Sequence, residues 1–336
     1  MTSPAILFTG KDQVELREID VPDPQPGEVL IEARRTLVST GTECTCLRRD
    51  FEPGSHWDHW VQYPFRPGYS HVGVVVRAGE GVTRLKPGDR VVSWSAHARH
   101  VIAPEEVAIP VPDGVSDDDA AWFGIAYIVQ NGVRRAEHQM GEDVVIVGLG
   151  LLGQLAVQFV RLMGAREIIA VDTAPRRLEM AGAHGATLLL PRSIAEVKPE
   201  VDAATGGRGA DVVYDITGHP AVLPLALPLV RTLGKFVLLG DPGSPTRQHL
   251  TGDVITRGLK IIGAHANNPP AVPSADNWWS RANIVRLFLT YLERGQMRVD
   301  DLITHRFAPR EASQAYRLLN EERANAMGVL FDWERA

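Results

Sequence analysis

Three glycines, Gly148, Gly150 and Gly153, stand in the spacing G-x-G-x-x-G within DVVIVGLGLLG, and an acid, Asp172, lies nineteen residues beyond the last of them. The first glycine permits a tight turn from strand to helix, the second lets backbone approach a pyrophosphate, and the third lets helix and strand pack closely. The helix that opens at Leu151 and Leu152 would then face its free amides toward an anionic ligand. Asp172, at the end of the next apolar run, is where a dinucleotide fold places the acid that bonds the adenosine ribose hydroxyls. With Thr173 after it, this acid would repel a 2′-phosphate and so favours NAD over NADP, although Arg177 and Arg176 nearby could pair with such a phosphate. Thr217, Gly240 and Asp241 end two later strands at the carboxyl edge, where the cofactor should lie. Outside this motif, His56, His59 and His71 could act as general bases near neutral pH. Cys44 and Cys46 could join them around a zinc ion, but a C-x-C spacing is not the one that favours a single ion.

These groups need elements to hold them. Residues 144–148 read as a fully buried strand, because a short β-branched run suits a parallel sheet covered on both faces. Helix 152–163, strand 168–172, helix 175–183 and strand 187–190 follow. Then come strand 211–216, helix 221–230 with awkward prolines at 224 and 228, and strands 235–239 and 259–263. Such alternation implies parallel strands with right-handed crossovers and helices on both faces. Residues 1–120 instead show short strands at 29–33, 72–77 and 90–93 between Pro/Gly turns, the pattern of a small barrel or sandwich. Residues 48–67, rich in Trp, His, Tyr and Phe, form either a binding loop or a loop folded on its own cluster. A helix over 120–136 enters the alternating region. Past residue 264 come a helix over 278–294, a β segment at 303–307, a helix over 310–322 and a last strand at 328–332. These are too few for a core of their own, so they should return to complete the N-terminal part.

At 336 residues the chain suits about two domains. Its 35 basic and 41 acidic residues give a net charge of −6, which offers no electrostatic case for nucleic acid or an anionic membrane. The absence of a long apolar run or a basic leader segment, together with two cysteines too close for an ordinary disulfide, points to a cytoplasmic protein.

The blocks PGEVLIEARRTLVSTGTE, PGYSHVGVVVRAGEGVTRLKPGDRV, GLGLLG and LGKFVLLGD, in this order, resemble the medium-chain dehydrogenase/reductase superfamily over nearly the whole chain. The resemblance implies an α/β protein: a GroES-like β-rich catalytic domain from residues 1–120 and 265–336, and a Rossmann doubly wound parallel-sheet domain from 121–264. It also exposes departures. Where zinc-using members carry a metal-binding Cys, His-Glu pair and later Cys or acid, this chain has Thr40, Tyr69 with Ser70, and Gly124. None is a good zinc ligand, so no metal is expected.

The resemblance further implies that Thr42 relays the alcohol proton, that Tyr69 points into the vacated metal site as a hydrogen-bond donor, and that His265 faces the nicotinamide. It casts Glu43 as a loop anchor. His56 is a further candidate acid–base group. The expected function is an NAD-dependent, zinc-independent interconversion of an alcohol and a ketone on a small polar molecule, such as a sugar, cyclitol or secondary-metabolite intermediate. Two rivals are an NADPH-dependent quinone or enoyl reductase and a nucleotide-binding protein without catalysis. Relatives lacking the structural zinc lobe imply a homodimer.

Overall fold

A computed structural model describes residues 1–335. The chain divides into two compact units, one of residues 1–125 and those from Ala271 on, the other Ala126–Pro270.

The second unit is built on a six-stranded parallel sheet. In spatial order its strands are Leu188–Pro191, Glu167–Asp172, Asp143–Val147, Ala210–Asp215, Val230–Leu238 and Lys260–Gly263. Asp143–Val147 and Ala210–Asp215 are buried along their whole lengths, because helices cover both faces of a doubly wound sheet. Val145, Val147, Ile169, Val213 and Phe236 pack with Leu223, Leu227 and Val197 as one core. The chain winds outward from Asp143–Val147 and then returns to its other side, so strand order reverses between Asp143–Val147 and Ala210–Asp215. Ligands of open α/β sheets bind at the carboxyl end of such a switch point.

Several boundaries differ from the sequence reading. The central strand ends at Val147, since Gly148 has φ +92° and leaves the strand. The expected helix 221–230 is only Val222–Ala226, followed by a 3₁₀ turn at Leu227–Leu229 and a strand that begins at Val230. Pro228 lacks the N–H that a continued helix would use. The expected helix 278–294 begins at Arg281, where Ser280 caps it by accepting a hydrogen bond from the Asn283 amide.

The first unit holds a seven-stranded sheet in the order Ile303–Phe307, Gly328–Asp332, Glu28–Leu37, His71–Ala78, Arg90–Ser93 and Ile109–Pro110, with His100–Pro104 also paired to Glu28–Leu37. The C-terminal strand Gly328–Asp332 runs antiparallel to Glu28–Leu37, with Phe331 opposite Thr36. The strands Thr2–Gly10 and Gln13–Asp20 form a separate hairpin. Ile6, Phe8, Leu47, Trp57, Tyr316, Phe331 and Trp333 share one core beneath the helix Thr40–Arg48. The aromatic segment 48–67 packs on this core, with Trp57 inside it and Phe51, Tyr63 and Phe65 against it. Phe51 stacks on Trp57, Trp60 meets Phe65 edge-on, and the Arg49 guanidinium lies over Phe51 and Tyr63. No helix among the described residues is long and apolar enough to cross a membrane.

Candidate active site

At the switch point of the second unit the three glycines have separate tasks. Gly148 adopts the left-handed conformation that turns the chain out of the strand, and a Cβ on it would come within 2.9 Å of the Thr217 methyl. A Cβ on Gly153 would lie 2.1 Å from the Gly148 carbonyl oxygen, so the helix Leu151–Leu162 can sit this close to the turn only with glycine there. Gly150 heads the same helix with no side-chain cap, and a Cβ on it would meet nothing within 4 Å. Open space over uncapped amides is what an approaching pyrophosphate needs. This cradle fits a dinucleotide.

Asp172 lies where the sequence places it, and its carboxylate is already in use. One oxygen accepts the Leu149 amide at 2.8 Å and the other the Ala174 amide at 2.9 Å, with Arg177 3.9 Å away. Each carboxylate oxygen keeps a lone pair for a ribose hydroxyl. Leu151 is buried and Leu152 half-buried, so both offer the site their backbone rather than their side chains. Thr217 donates its hydroxyl to Asp215 at 2.7 Å, and Asp215 also accepts the Thr217 amide. Gly240 lets the neighbouring strand end pass, since a Cβ there would lie 2.4 Å from the Gly218 nitrogen. Thr173 and Asp241 are exposed. Gln154, not foreseen, is fully buried and donates to both Leu149 and Arg177 carbonyls, pinning the turn to the next helix. A buried amide inside an apolar helix face was its only sequence signal.

The first unit gathers the positions expected around a metal. Tyr69 donates its phenol to Ser39 Oγ at 2.7 Å, and the Thr42 hydroxyl lies near enough to the same phenol to oppose slightly the effect of burial on it. Burial pushes the phenol's pKa up, so it stays neutral. Trp94 stacks on the Tyr69 ring and meets Phe123 edge-on. Gly124 lies beside both, and a Cβ on it would come within 2.2 Å of Ser70 Oγ and 3.0 Å of the Tyr69 ring. Ser70 Oγ is buried without a hydrogen-bond partner. Tyr69, Ser70 and Gly124 thus fill one space with hydroxyls and a ring. The zinc donor set does not fit. Among the described residues no group of three or more His, Cys, Asp or Glu side chains is placed to hold a metal ion. Cys44 and Cys46 are core residues, and burial pushes the Cys44 thiol up to about 11 and the Cys46 thiol higher still, away from the thiolate a metal requires.

The remaining candidates separate by environment. His71 is fully buried between the Ala98 carbonyl and Ser93, and desolvation holds its pKa down at about 3, which removes it as a base near neutral pH. His56 is exposed against the Trp57 ring, and His59 is exposed with its ring on the Ser55 carbonyl. His265 belongs to the second unit, is exposed, and accepts the Asn267 amide, while its carbonyl receives Asn131. Within the first unit the structure pairs Tyr69 with Ser39 and sets Thr42 near the same phenol.

A buried network escaped the sequence reading. Glu43 accepts the Ser39 amide at 2.7 Å, faces His97 Nε2 at 3.0 Å and receives the Tyr316 hydroxyl, and all three side chains are buried. Tyr316 lies 273 residues from Glu43, so no local pattern could pair them.

Residues 152–281 match the zinc-binding dehydrogenase family model, and residues 25–113 match that of the alcohol dehydrogenase GroES-like domain. D-guloside 3-dehydrogenase of Escherichia coli K12 is 30% identical, over 90% of this chain and 93% of its own. The chain belongs to the medium-chain dehydrogenase/reductase family. An erythritol/L-threitol dehydrogenase of Mycolicibacterium smegmatis, another relative, is 25% identical over 90% of each chain. The crystal structure of 2R,3R-butanediol dehydrogenase from Bacillus subtilis shares the fold, with a TM-score of 0.82 at 20% identity, covering 98% of this chain and 99% of that one. The close packing of Tyr69 and Ser70 against Gly124 and the glycine turn at Gly148–Gly153 are the features that bear on chemistry.

Proposed function

We propose that the chain is an NAD-dependent, zinc-independent oxidoreductase that interconverts an alcohol and a ketone on a small polar molecule, in the class of sugars, cyclitols and secondary-metabolite intermediates. The observation that carries the reading is the packing of Tyr69 and Ser70 against Gly124, which leaves hydroxyls where ligands would stand. The cradle at Gly148, Gly150 and Gly153 would hold the dinucleotide, and Asp172, with a negative charge and a spare lone pair, supports a free ribose over a 2′-phosphate. Relatives named for gulosides, erythritol and threitol support a polar, hydroxyl-bearing substrate.

When bound, nicotinamide supplies the acceptor or donor of a hydride. Tyr69, a neutral phenol, donates a hydrogen bond to the substrate oxygen and stabilises the charge that builds there. Thr42, near the same phenol, passes the alcohol proton to solvent water during oxidation, and in reduction water returns a proton by the reverse path. Trp94 and Phe123 keep the neighbourhood apolar, which strengthens each hydrogen bond. A homodimer belongs to the same reading, supported by exposed Leu233 in the strand Val230–Leu238 and exposed Ile255 in the short helix before the edge strand Lys260–Gly263.

The test is turnover of D-gulosides, erythritol, L-threitol and butane-2,3-diol with NAD and with NADP, together with zinc content of the same preparation and its mass by light scattering. Turnover with NAD that survives chelation is expected. Stoichiometric zinc whose removal abolishes turnover, or preferential reduction of activated C=C bonds by NADPH, overturns the proposal.

A further inference from the structure

The residue that begins the helix Thr40–Arg48 behaves unusually. Ser39 occupies the N-cap position, where a serine hydroxyl ordinarily accepts a hydrogen bond from a first-turn amide. Here it makes no such bond, and its oxygen instead accepts the Tyr69 phenol at 2.7 Å. The helix start is secured another way, since the Glu43 carboxylate takes the Ser39 amide and is itself gripped by His97 and Tyr316 in a fully buried cluster. Ser39 is 3% exposed. Its backbone is therefore fixed from below by Glu43, and its hydroxyl is released from capping to face Tyr69.

Building on the proposed role of Tyr69, we infer that Ser39 is a positioning residue that holds the Tyr69 phenol and reverses its hydrogen bond when a substrate oxygen arrives. A phenol has one hydrogen to give. Without substrate it goes to Ser39. With a carbonyl or alkoxide oxygen nearby, the phenol turns its hydrogen to that oxygen, and the Ser39 hydroxyl rotates to donate to the phenol oxygen. No bond other than hydrogen bonds changes, and the phenol oxygen does not move. Donor groups that need no rearrangement during reaction stabilise developing charge most effectively. A cap serine would have its side-chain rotamer and one lone pair held by a backbone amide, whereas here the hydroxyl is oriented by Tyr69 alone. Glu43, His97 and Tyr316 free it from that duty.

The experiment uses the full chain in four forms: wild type, Ser39→Ala, Tyr69→Phe and the double variant. Labelling tyrosine at Cζ gives a carbon signal that reports phenol hydrogen bonding, and the Tyr69 signal is the one lost in Tyr69→Phe. Ser39→Ala should shift that signal while NADH affinity holds. In kinetics with the alcohol panel, Tyr69→Phe should lower kcat about a hundredfold and Ser39→Ala about tenfold. Adding Ser39→Ala to Tyr69→Phe should cost nothing further, because Ser39 acts only through the phenol. An unmoved carbon signal, or a tenfold loss that persists in the Tyr69→Phe background, overturns the inference while leaving the proposed function standing. If Tyr69→Phe keeps full turnover, the role assigned to Tyr69 falls and this inference with it.

Discussion

Asp172 holds the glycine turn and, on the proposed reading, would also hold the ribose. Its two oxygens bind the Leu149 and Ala174 amides, so the acid shapes the glycine turn before any ligand arrives. Asp172→Ala should weaken NADH binding by about 1–3 kcal/mol, the scale of an unmade hydrogen bond to a charged group, as measured by calorimetry. An unchanged affinity would mean that the ribose is held elsewhere. Asp172→Asn retains one carbonyl acceptor and should fall between the two. His71 and Tyr69 illustrate the opposite lesson. Both were candidates by residue type, and burial divides them, making His71 a neutral structural histidine and Tyr69 a neutral donor.

Elements decide what each glycine does. The helix Leu151–Leu162 presses Gly153 against the Gly148 carbonyl but leaves space over Gly150. Gly153→Ala should therefore destabilise the fold by a few kcal/mol through a backbone clash of the overpacking kind. Gly150→Ala, at φ −70° and with nothing nearby, should melt within a few degrees of wild type yet bind NADH at least about tenfold more weakly by blocking the pyrophosphate. Thermal melting and fluorescence titration of both variants check this, and equal effects on stability would contradict it. Gly124 gives a sign reversal. Within the helix Phe123–Arg135, replacing glycine by alanine would ordinarily gain up to about 1 kcal/mol. Here the added carbon meets Ser70 Oγ and the Tyr69 ring, so Gly124→Ala should lower the melting temperature. A raised melting temperature would show that the hydroxyl pocket is loose.

For the molecule as a whole, buried histidine links stability to pH. The folded-state pKa of His71 is held down at about 3, below the ordinary value of 6.5. Between those values the unfolded chain binds a proton that the folded chain refuses, so stability is present above pH 6.5 and is lost as pH falls toward 3. The greatest slope for one such group is about 1.4 kcal/mol per pH unit. Urea unfolding at pH 7.5 and pH 5.0 should show His71→Gln losing about 2 kcal/mol less than wild type across that interval. Equal losses would mean that other groups govern the acid limb. Asp211, held at about 2 chiefly by Arg208, the Asp143 amide and Arg231 against the cost of burial, contributes stability that persists until much lower pH.

The sequence by itself determined the dinucleotide turn and the alternating unit around it. A G-x-G-x-x-G between an apolar strand and an amphipathic helix is a local pattern, set by steric limits that act within a few residues. The residue types at Thr40, Tyr69, Ser70 and Gly124, poor zinc ligands all, are likewise legible in the sequence. Only the tertiary structure decided that Tyr69, Ser70 and Gly124 share one space, that Ser39 rather than a base partners the phenol, and that Glu43, His97 and Tyr316 support them. Those contacts join residues up to 273 positions apart, and only packing the helix Ala312–Glu321 near the helix Thr40–Arg48 makes them neighbours. Burial, which sets whether a histidine or a phenol carries charge, is likewise a property of what surrounds a residue in space rather than of what flanks it in the chain.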